Sequence, residues 1–347
     1  MKTAAFLPMK ATPFLSVIIP CRNEASYLGP CLDSILDCGY PRERMEILVA
    51  DGLSQDGTRE LAESYAQRHT QVRIIDNPRR ITPAALNRAL EQAHGEIVAR
   101  LDAHATVSPG YFSRAVECLA SSGAANVGGR MHTLTRDRGP FAQPILIALT
   151  SRFGVGNSRF RTGASEPEYV DTVFGGCWPR EVFSRIGRFN ERLERSQDIE
   201  FNLRLRRAGG KILLTPAMES RYWARASLLY FLRHNWDNGV WAVLPLAYSR
   251  GLPVRWRHLV PLGFAAALTG SLLAAHWKPW LAALVAGPYL AANLGFSAAA
   301  AWRQRRASLL LLQPIAFASL HVPYGFGSLV ASLRLPWLLW RKKKHDA

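Results

Sequence analysis

Acidic residues are in short supply: 26 aspartates and glutamates stand against 43 lysines and arginines, a formal net charge of +17 over 347 residues. That excess excludes an acidic, cation-buffering protein and raises nucleic acid as a partner. The basic residues, however, are spread through the chain and enriched beside its apolar segments, a pattern that suits anionic lipid and not nucleic acid. Cysteine is equally sparse. Cys21, Cys31, Cys38, Cys118 and Cys177 are odd in number and show no C-x-x-C spacing, which argues against a disulfide framework or a thiolate zinc site and for reduced thiols. Residues 1–13 lack an uninterrupted apolar core, so no cleavable export signal is expected and the polar part of the chain is expected to stay cytoplasmic.

Formal charge is missing altogether from three long runs, 259–275, 279–302 and 307–333. A bilayer core needs about 20 apolar residues per helix, so each run is a candidate span. The chain therefore divides into an extension (1–13), a mixed domain (14–225), an amphipathic or interfacial linker (226–257), a membrane domain (258–340) and a basic tail (341–347). Within the linker, Trp236 and Trp241 alternate with Arg233 and His234, a composition suited either to the headgroup layer or to ordinary core packing. Residues 141–153, followed by Gly154-Val155-Gly156-Asn157-Ser158, are a second element that either faces membrane or acceptor or packs as a plain amphipathic helix. Pro314, Pro323, Gly325 and Gly327 mark the third run as a candidate broken or interfacial element. Arg255, Arg257 and His258 before the first run, and Arg303, Arg305 and Arg306 after the second, place both flanks on the cytoplasmic side. Three crossings would leave Arg341 to Lys344 outside, so either the third run re-enters or the number of crossings is even.

The first portion alternates strand and helix. Apolar runs at 15–19, 45–50, 72–75 and 96–101 each end at a polar or turn residue, with helical stretches at about 24–37, 56–69 and 82–93 between them. That order predicts a parallel, doubly wound α/β sheet whose strand ends share one rim. The rim collects Arg22, Asn23, Glu24, Asp51, Arg79, Arg80, Asp102 and His104. In open α/β sheets chemistry sits at this edge. Asp102-Ala103-His104 offers a carboxylate and an imidazole one residue apart, a donor pair that Mn2+ accepts; a helix cap beside a surface histidine is the other reading. Asp51 stands before a glycine turn, too early to cap the next helix, and suits a base or ribose. Asp56 reads as the cap of that helix. Segment 51–58 is not G-x-G-x-x-G, which removes support for a dinucleotide fold.

Taken in order, Ser16-Val17-Ile18-Ile19-Pro20-Cys21-Arg22-Asn23-Glu24, Asp51-Gly52-x-Ser54-x-Asp56-Gly57-Thr58, Arg100-Leu101-Asp102-Ala103-His104, Phe174-Gly175-Gly176-Cys177-Trp178 and Ser196-Gln197-Asp198-Ile199-Glu200 resemble family 2 glycosyltransferases of the GT-A (nucleotide-diphospho-sugar transferase) fold, above all their bacterial exopolysaccharide, succinoglycan-type branch. The resemblance covers about residues 14–245, and the trailing apolar runs fit it. It implies a UDP-sugar donor held by Pro20, Arg22, Asn23, Glu24, Asp51, Arg79, Arg100 and Asp102, and a divalent Mn2+ or Mg2+ ion at Asp102 and His104. It also implies acceptor contacts at Gly175, Gly176, Trp178 and Gln197, and Asp198 as catalytic base, with Glu200 a weaker candidate. His104 stands where the family has its second aspartate. The Q-x-x-R-W motif of processive relatives is missing, so one sugar per encounter is expected. A lipid-linked (polyprenyl) acceptor at the inner membrane follows from the anchor. A polyprenyl-phosphate sugar synthase and a non-catalytic nucleotide-sugar sensor are the alternatives.

Overall fold

The computed structural model describes residues 12–249 and 256–345, with side chains as far as residue 340. The extension before residue 12, Arg255 and the side chains of the basic tail lie outside the described residues. Two units are formed, one by the residues up to His132 together with Arg159–Trp223, the other by Thr133–Ser158 together with those from Ala224 onward.

In the first unit, β1 (Leu15–Cys21) and β2 (Met45–Asp51) are apolar on both faces and almost wholly buried, as inner parallel strands must be. Helix α1 (Ala25–Leu36) links them, α2 (Thr58–Arg68) leads to β3 (Val72–Asp76), and α3 (Thr82–Gln92) leads to β4 (Ile97–Arg100). The four strands are parallel in the order β3-β2-β1-β4. Each inner face carries its own core, Val17, Ile19, Ile47 and Val49 on one side and Ile18, Leu48, Ala50 and Val98 on the other, which is the alternation expected of a sheet covered by helices on both faces.

Beyond β4 the sheet turns antiparallel. The chain continues through β5 (Ala105–Val107), α4 (Tyr111–Ser122) and β6 (Asn126–Leu134). The short helices α5 (Ala142–Thr150), α6 (Arg152–Val155) and α7 (Arg159–Thr162) follow. Then come β7 (Glu168–Tyr169), β8 (Cys177–Pro179), α8 (Glu181–Ile186), α9 (Gln197–Arg207) and β9 (Ile212–Trp223). Strand β8 runs antiparallel to β4, and β9 pairs antiparallel with both β5 and β7. The wholly parallel sheet read from the first four strands is thus only half of a mixed, nine-stranded sheet. All five cysteines are free thiols, four of them buried.

At the edge of the sheet opposite the rim, Glu46 is only 7% exposed. It accepts from Ser16 Oγ at 2.6 Å and from the His94 backbone N–H at 2.6 Å. Burial alone would push its carboxyl up, but these donors and Arg73 outweigh burial and hold it below its ordinary 4.5. A lowered carboxylate stabilises the fold above its unfolded pKa, and that contribution is lost as the pH falls through the folded value. Glu46→Gln is therefore expected to lower the urea midpoint near neutrality and to converge on wild type below about pH 4. Chemical denaturation followed at several pH values reads this directly; a gap that widens in acid would contradict it.

The second unit contains α10 (Leu228–Val243), α11 (Pro245–Tyr248), α12 (Val260–Ala274), α13 (Trp280–Gln304) and α14 (Leu309–His345). Three of its helices, Trp256–Ala274, Trp280–Gln304 and Leu309–Trp340, are long and apolar enough to cross a membrane. Helices α5 and α6 lie here as well. Ile145, Ala148, Phe231, Ala316 and Phe317 form one apolar cluster, so the middle of the range 14–225 does not stay with the α/β domain. Gly239 on α10 meets Tyr324 on α14 so closely that a Cβ would lie 1.9 Å from the Tyr324 carbonyl oxygen, the small-residue approach typical of membrane helices.

From Leu309 onward the third apolar run is one continuous helix despite Pro314 and Pro323; of the two expectations from sequence, a broken or an interfacial element, the break is corrected. Pro323 lacks the N–H that would bond the carbonyl four residues earlier, at Ser319. Asn235 Nδ2 donates to that carbonyl at 3.5 Å, so the helix passes the proline with the freed group satisfied.

Candidate active site

The rim is built by the carboxyl ends of β1, β2 and β4. Cys21 pairs with Asp51 across β1 and β2, while Ile18 pairs with Arg100 across β1 and β4. Asp51 and Asp102 therefore stand two strand spacings apart, on the order of 10 Å.

Two loops at this rim are latched together. Asn23 N donates to Ser54 Oγ at 2.9 Å and Gln55 N to Asn23 Oδ1 at 2.9 Å. Glu24 N donates to Thr58 Oγ1 at 2.8 Å, and Ala25 N to Asp56 Oδ2 at 3.2 Å. Asp56 also accepts from Thr58 N at 3.1 Å, so it satisfies first-turn donors of both α1 and α2, an extended form of the cap expected of it. Asn23 and Leu53 hold positive φ of 54° and 55° to make these turns. Arg22 is exposed and lies across Gly52, where a Cβ would meet its side chain at 3.1 Å, and Pro20 closes β1.

Asp51 is fully buried and takes the Ser54 hydroxyl at 2.5 Å, with Arg59 at 3.7 Å. Arg59 also pairs with Asp76, the register partner of Asp51 on β3, so one guanidinium offsets two adjacent carboxylates. A ligand reaching Asp51 must displace the Ser54 hydroxyl. Arg79 stands apart from this group, in an ion pair with Glu191.

At the end of β4, Arg100 donates to Asp102 Oδ1 through Nε at 3.0 Å and through a terminal nitrogen at 2.9 Å. Both engage the same oxygen, and among the described residues no hydrogen bond to Oδ2 accompanies them. Burial pushes the Asp102 carboxyl up, but the Arg100 guanidinium, with His104, outweighs it and holds the group below the usual carboxylate range. Burial likewise lowers Arg100, and the fields of Asp102 and then Asp198 more than restore it. Two of the sequence-predicted acids, Asp102 and Asp198, thus act on one cation.

His104 begins the turn into β5. Its carbonyl accepts from Trp223 N at 3.0 Å, and its ring meets Tyr222 edge-on at 4.8 Å between centroids. Its Nδ1 lies 3.2 Å from Glu24 Oε1. Among the described residues no group of three or more His, Cys, Asp or Glu side chains is arranged to hold a metal alone. The donor set fits a cation completed by a diphosphate, because Mg2+-type ions are commonly held by one or two protein groups plus substrate phosphates.

Gly175 and Gly176 bring the segment before β8 against the end of β4. The Arg100 N–H donates to Gly176 O at 2.9 Å, and a Cβ on Gly175 would lie 2.5 Å from the Arg100 carbonyl. At Gly176, φ is +117° and a Cβ would lie 2.5 Å from the Trp178 ring. Gly176→Ala is therefore expected to destabilise the protein by about 1–3 kcal/mol and to lower activity with it, since the same glycine fixes Arg100. A thermal melt and an activity assay on one preparation check this; an unchanged melting point would contradict it. Trp178 itself is 2% exposed and packs on Phe183, Phe189 and Phe201. It supports the loop from the core, where sequence reading had it touching acceptor.

Helix α9 carries Gln197 and Asp198 in its first turn. Gln197 is buried with no hydrogen-bond partner for its Oε1, while Asp198 is half-buried and accepts from the Ile199 N–H at 2.9 Å. Glu200 is committed elsewhere. It binds Arg204 at 2.7 and 3.0 Å, and Arg204 in turn donates to the Arg188 carbonyl at 2.7 Å. Arg161, half-buried on α7, lies 5.7 Å from the Tyr222 ring centre. Sequence reading missed Arg59 and Arg161, of which only Arg59, in the first turn after the Asp51 motif, stood close to a recognised signal.

Known proteins resemble the chain in sequence and fold. The model of the family described as "Glycosyl transferase family 2" matches residues 16–187. The succinoglycan biosynthesis protein ExoA of Rhizobium meliloti (strain 1021) is 32% identical over 83% of this chain and 86% of its own. From Methanococcus voltae, a dolichyl N-acetyl-alpha-D-glucosaminyl phosphate 3-beta-D-2,3-diacetamido-2,3-dideoxy-beta-D-glucuronosyltransferase is 27% identical over 72% of this chain and 78% of its own. Among solved structures, the mannosyltransferase PcManGT from Pyrobaculum calidifontis, in complex with GDP-Man and Mn2+, superposes with a TM-score of 0.56 at 22% identity, over 94% of this chain and 87% of that one.

Proposed function

The chain belongs to glycosyl transferase family 2, and from that premise we propose that it transfers single hexoses from a UDP-sugar to a lipid-linked saccharide at the cytoplasmic face of the inner membrane. Membership makes it a glycosyltransferase of glycan biosynthesis. The observation that supports the catalytic part of this reading is Arg100, which is hydrogen-bonded to Asp102 and feels the charge of Asp198 as well, so the acid matched to the metal motif and the acid matched to the base act on one neighbour.

The division of labour follows. Asp51 takes the base or ribose of the donor, with Arg22 and Asn23 on the adjoining loop. Asp102 and His104 would hold the Mn2+ or Mg2+ ion beside the diphosphate. Bound there, the cation neutralises charge growing on the leaving oxygens. Arg100 keeps Asp102 ionised and fixes its plane. Asp198 removes the acceptor hydroxyl proton as the new oxygen–C1 bond forms and the bond from C1 to the diphosphate oxygen breaks. A single base and direct attack invert the anomeric centre. Gly175, Gly176 and Gln197 border the acceptor side.

Support for a lipid-borne acceptor comes from the three helices suited to a membrane and from the Methanococcus voltae relative, whose name gives it a dolichyl-phosphate-linked sugar to act on. The test is incubation of purified protein with a panel of radiolabelled nucleotide sugars, Mn2+ and a membrane lipid extract. Label in an elongated lipid-linked saccharide is the expected result. Label in a phosphate-linked monosaccharide would instead make it a polyprenyl-phosphate sugar synthase, and binding without transfer a sensor.

A further inference from the structure

Glu24 falls within the loop motif assigned by resemblance to the donor, yet its side chain turns to His104. The Oε1 to Nδ1 distance is 3.2 Å, and the two side chains are 12% and 26% exposed. Glu24 is held on both sides of its Cα. Its N–H is tied to Thr58 Oγ1 at 2.8 Å, and its carbonyl accepts from Tyr27 N and Leu28 N at 2.9 Å each. His104 is equally confined, with Tyr222 at 4.8 Å and Tyr27 at 6.4 Å between ring centres. Neither partner depends on a flexible segment for the contact.

The chemistry of that contact is directional. The 3.2 Å approach is an ion-pair distance, and a carboxylate this close favours the proton on the ring nitrogen that faces it. With the proton on Nδ1, the Nε2 lone pair is left for a ligand. Metal-bound histidines are oriented in this way by an outer carboxylate, and removing such a partner costs about 10–100-fold in metal affinity.

We propose that Glu24 is the positioning residue of the metal site, holding His104 in the tautomer that presents Nε2 to a divalent cation. This rests on the reading of Asp102 and His104 as the ligands that share such a cation with the donor diphosphate. The histidine in place of a second aspartate is thus accompanied by a carboxylate one shell further out, which restores negative charge to the site without adding a direct ligand.

The experiment uses the full chain in detergent, with Mn2+ binding followed by paramagnetic resonance in the presence of UDP. Glu24→Ala is expected to weaken Mn2+ by about 10–100-fold, and Glu24→Gln, which keeps an oxygen beside Nδ1 but not the charge, by less. In a His104→Ala background Glu24→Ala is expected to add no further loss, as a double-mutant cycle requires of a residue acting only through its partner. An unchanged Mn2+ affinity in Glu24→Ala, or its full effect persisting without His104, overturns the proposal. The 15N shifts of labelled histidine in the metal-free protein give a second readout, with His104 assigned by comparison with His104→Ala. The Nδ1–H form is expected in wild type and its loss in Glu24→Ala; an Nε2–H form in wild type overturns the proposal whatever the protein transfers. If wild type shows the Nδ1–H form but binds no Mn2+ with UDP, the metal–diphosphate reading fails first and the metal role of Glu24 falls with it.

Discussion

Asp198→Asn is expected to lower turnover by about 10²–10⁴-fold, the usual contribution of a general base, while leaving UDP affinity within about twofold of wild type. Asparagine is nearly isosteric and its oxygen can still accept from the Ile199 N–H, as Asp198 does, so the first turn of α9 survives. What is lost is the capacity to take the acceptor proton. The neighbouring carboxylate cannot substitute, because Glu200 is 4% exposed and bound bidentately to Arg204. Glu200→Gln is therefore a stability variant and Asp198→Asn an activity variant, and steady-state kinetics beside a thermal melt separates the two. Unchanged turnover in Asp198→Asn would remove it as the base.

Asp102→Ala carries the second large effect, and it falls on both stability and activity. Asp102 and Arg100 have side chains only 20% and 9% exposed. Removing the carboxylate leaves a mostly buried guanidinium without its charge partner, a change that typically costs about 3–5 kcal/mol. Activity should fall by at least about 10²-fold as transition-state charge stabilisation is lost, and added Mn2+ should not restore it. Asp102→Asn separates the two contributions. It keeps an oxygen for Arg100 and so recovers part of the melting temperature, but it removes the negative charge that a cation needs. Because Arg100 holds the Asp102 carboxyl below the usual range, Asp102 keeps its negative charge into mildly acidic pH.

Much of the rim was readable because it is local. A strand, a polar residue at its end and a helix signal lie within about ten residues at Asp51 and at Asp102, and apolar periodicity carries that much. Asp198 was readable through the order of motifs. The antiparallel half was not. Strands such as Ala105–Val107 and Cys177–Pro179 are too short for a period, and they are made by pairings such as Ile97 with Pro179, far apart in sequence. Side-chain partnerships across that distance were equally hidden: Glu24 on His104, Arg59 between Asp51 and Asp76, Arg79 on Glu191. Trp178 looked like a contact residue because it adjoins the glycine pair, but a strand alternates its faces, and this one turns the indole into an aromatic core. In the second unit, composition marked the three apolar runs. It could not show that Asn235 would carry α14 past Pro323.

The central claim is that one rim, from Asp51 through Asp102 and His104 to Asp198, passes a sugar to a lipid-borne acceptor. The most direct measurement is transfer of radiolabel from a nucleotide sugar into an organic-soluble product, with purified wild type and Asp198→Asn side by side. Label entering the lipid phase with wild type, at least about 100-fold slower with the variant, is the predicted result. Equal incorporation by both proteins, or none by wild type with any donor, would contradict it.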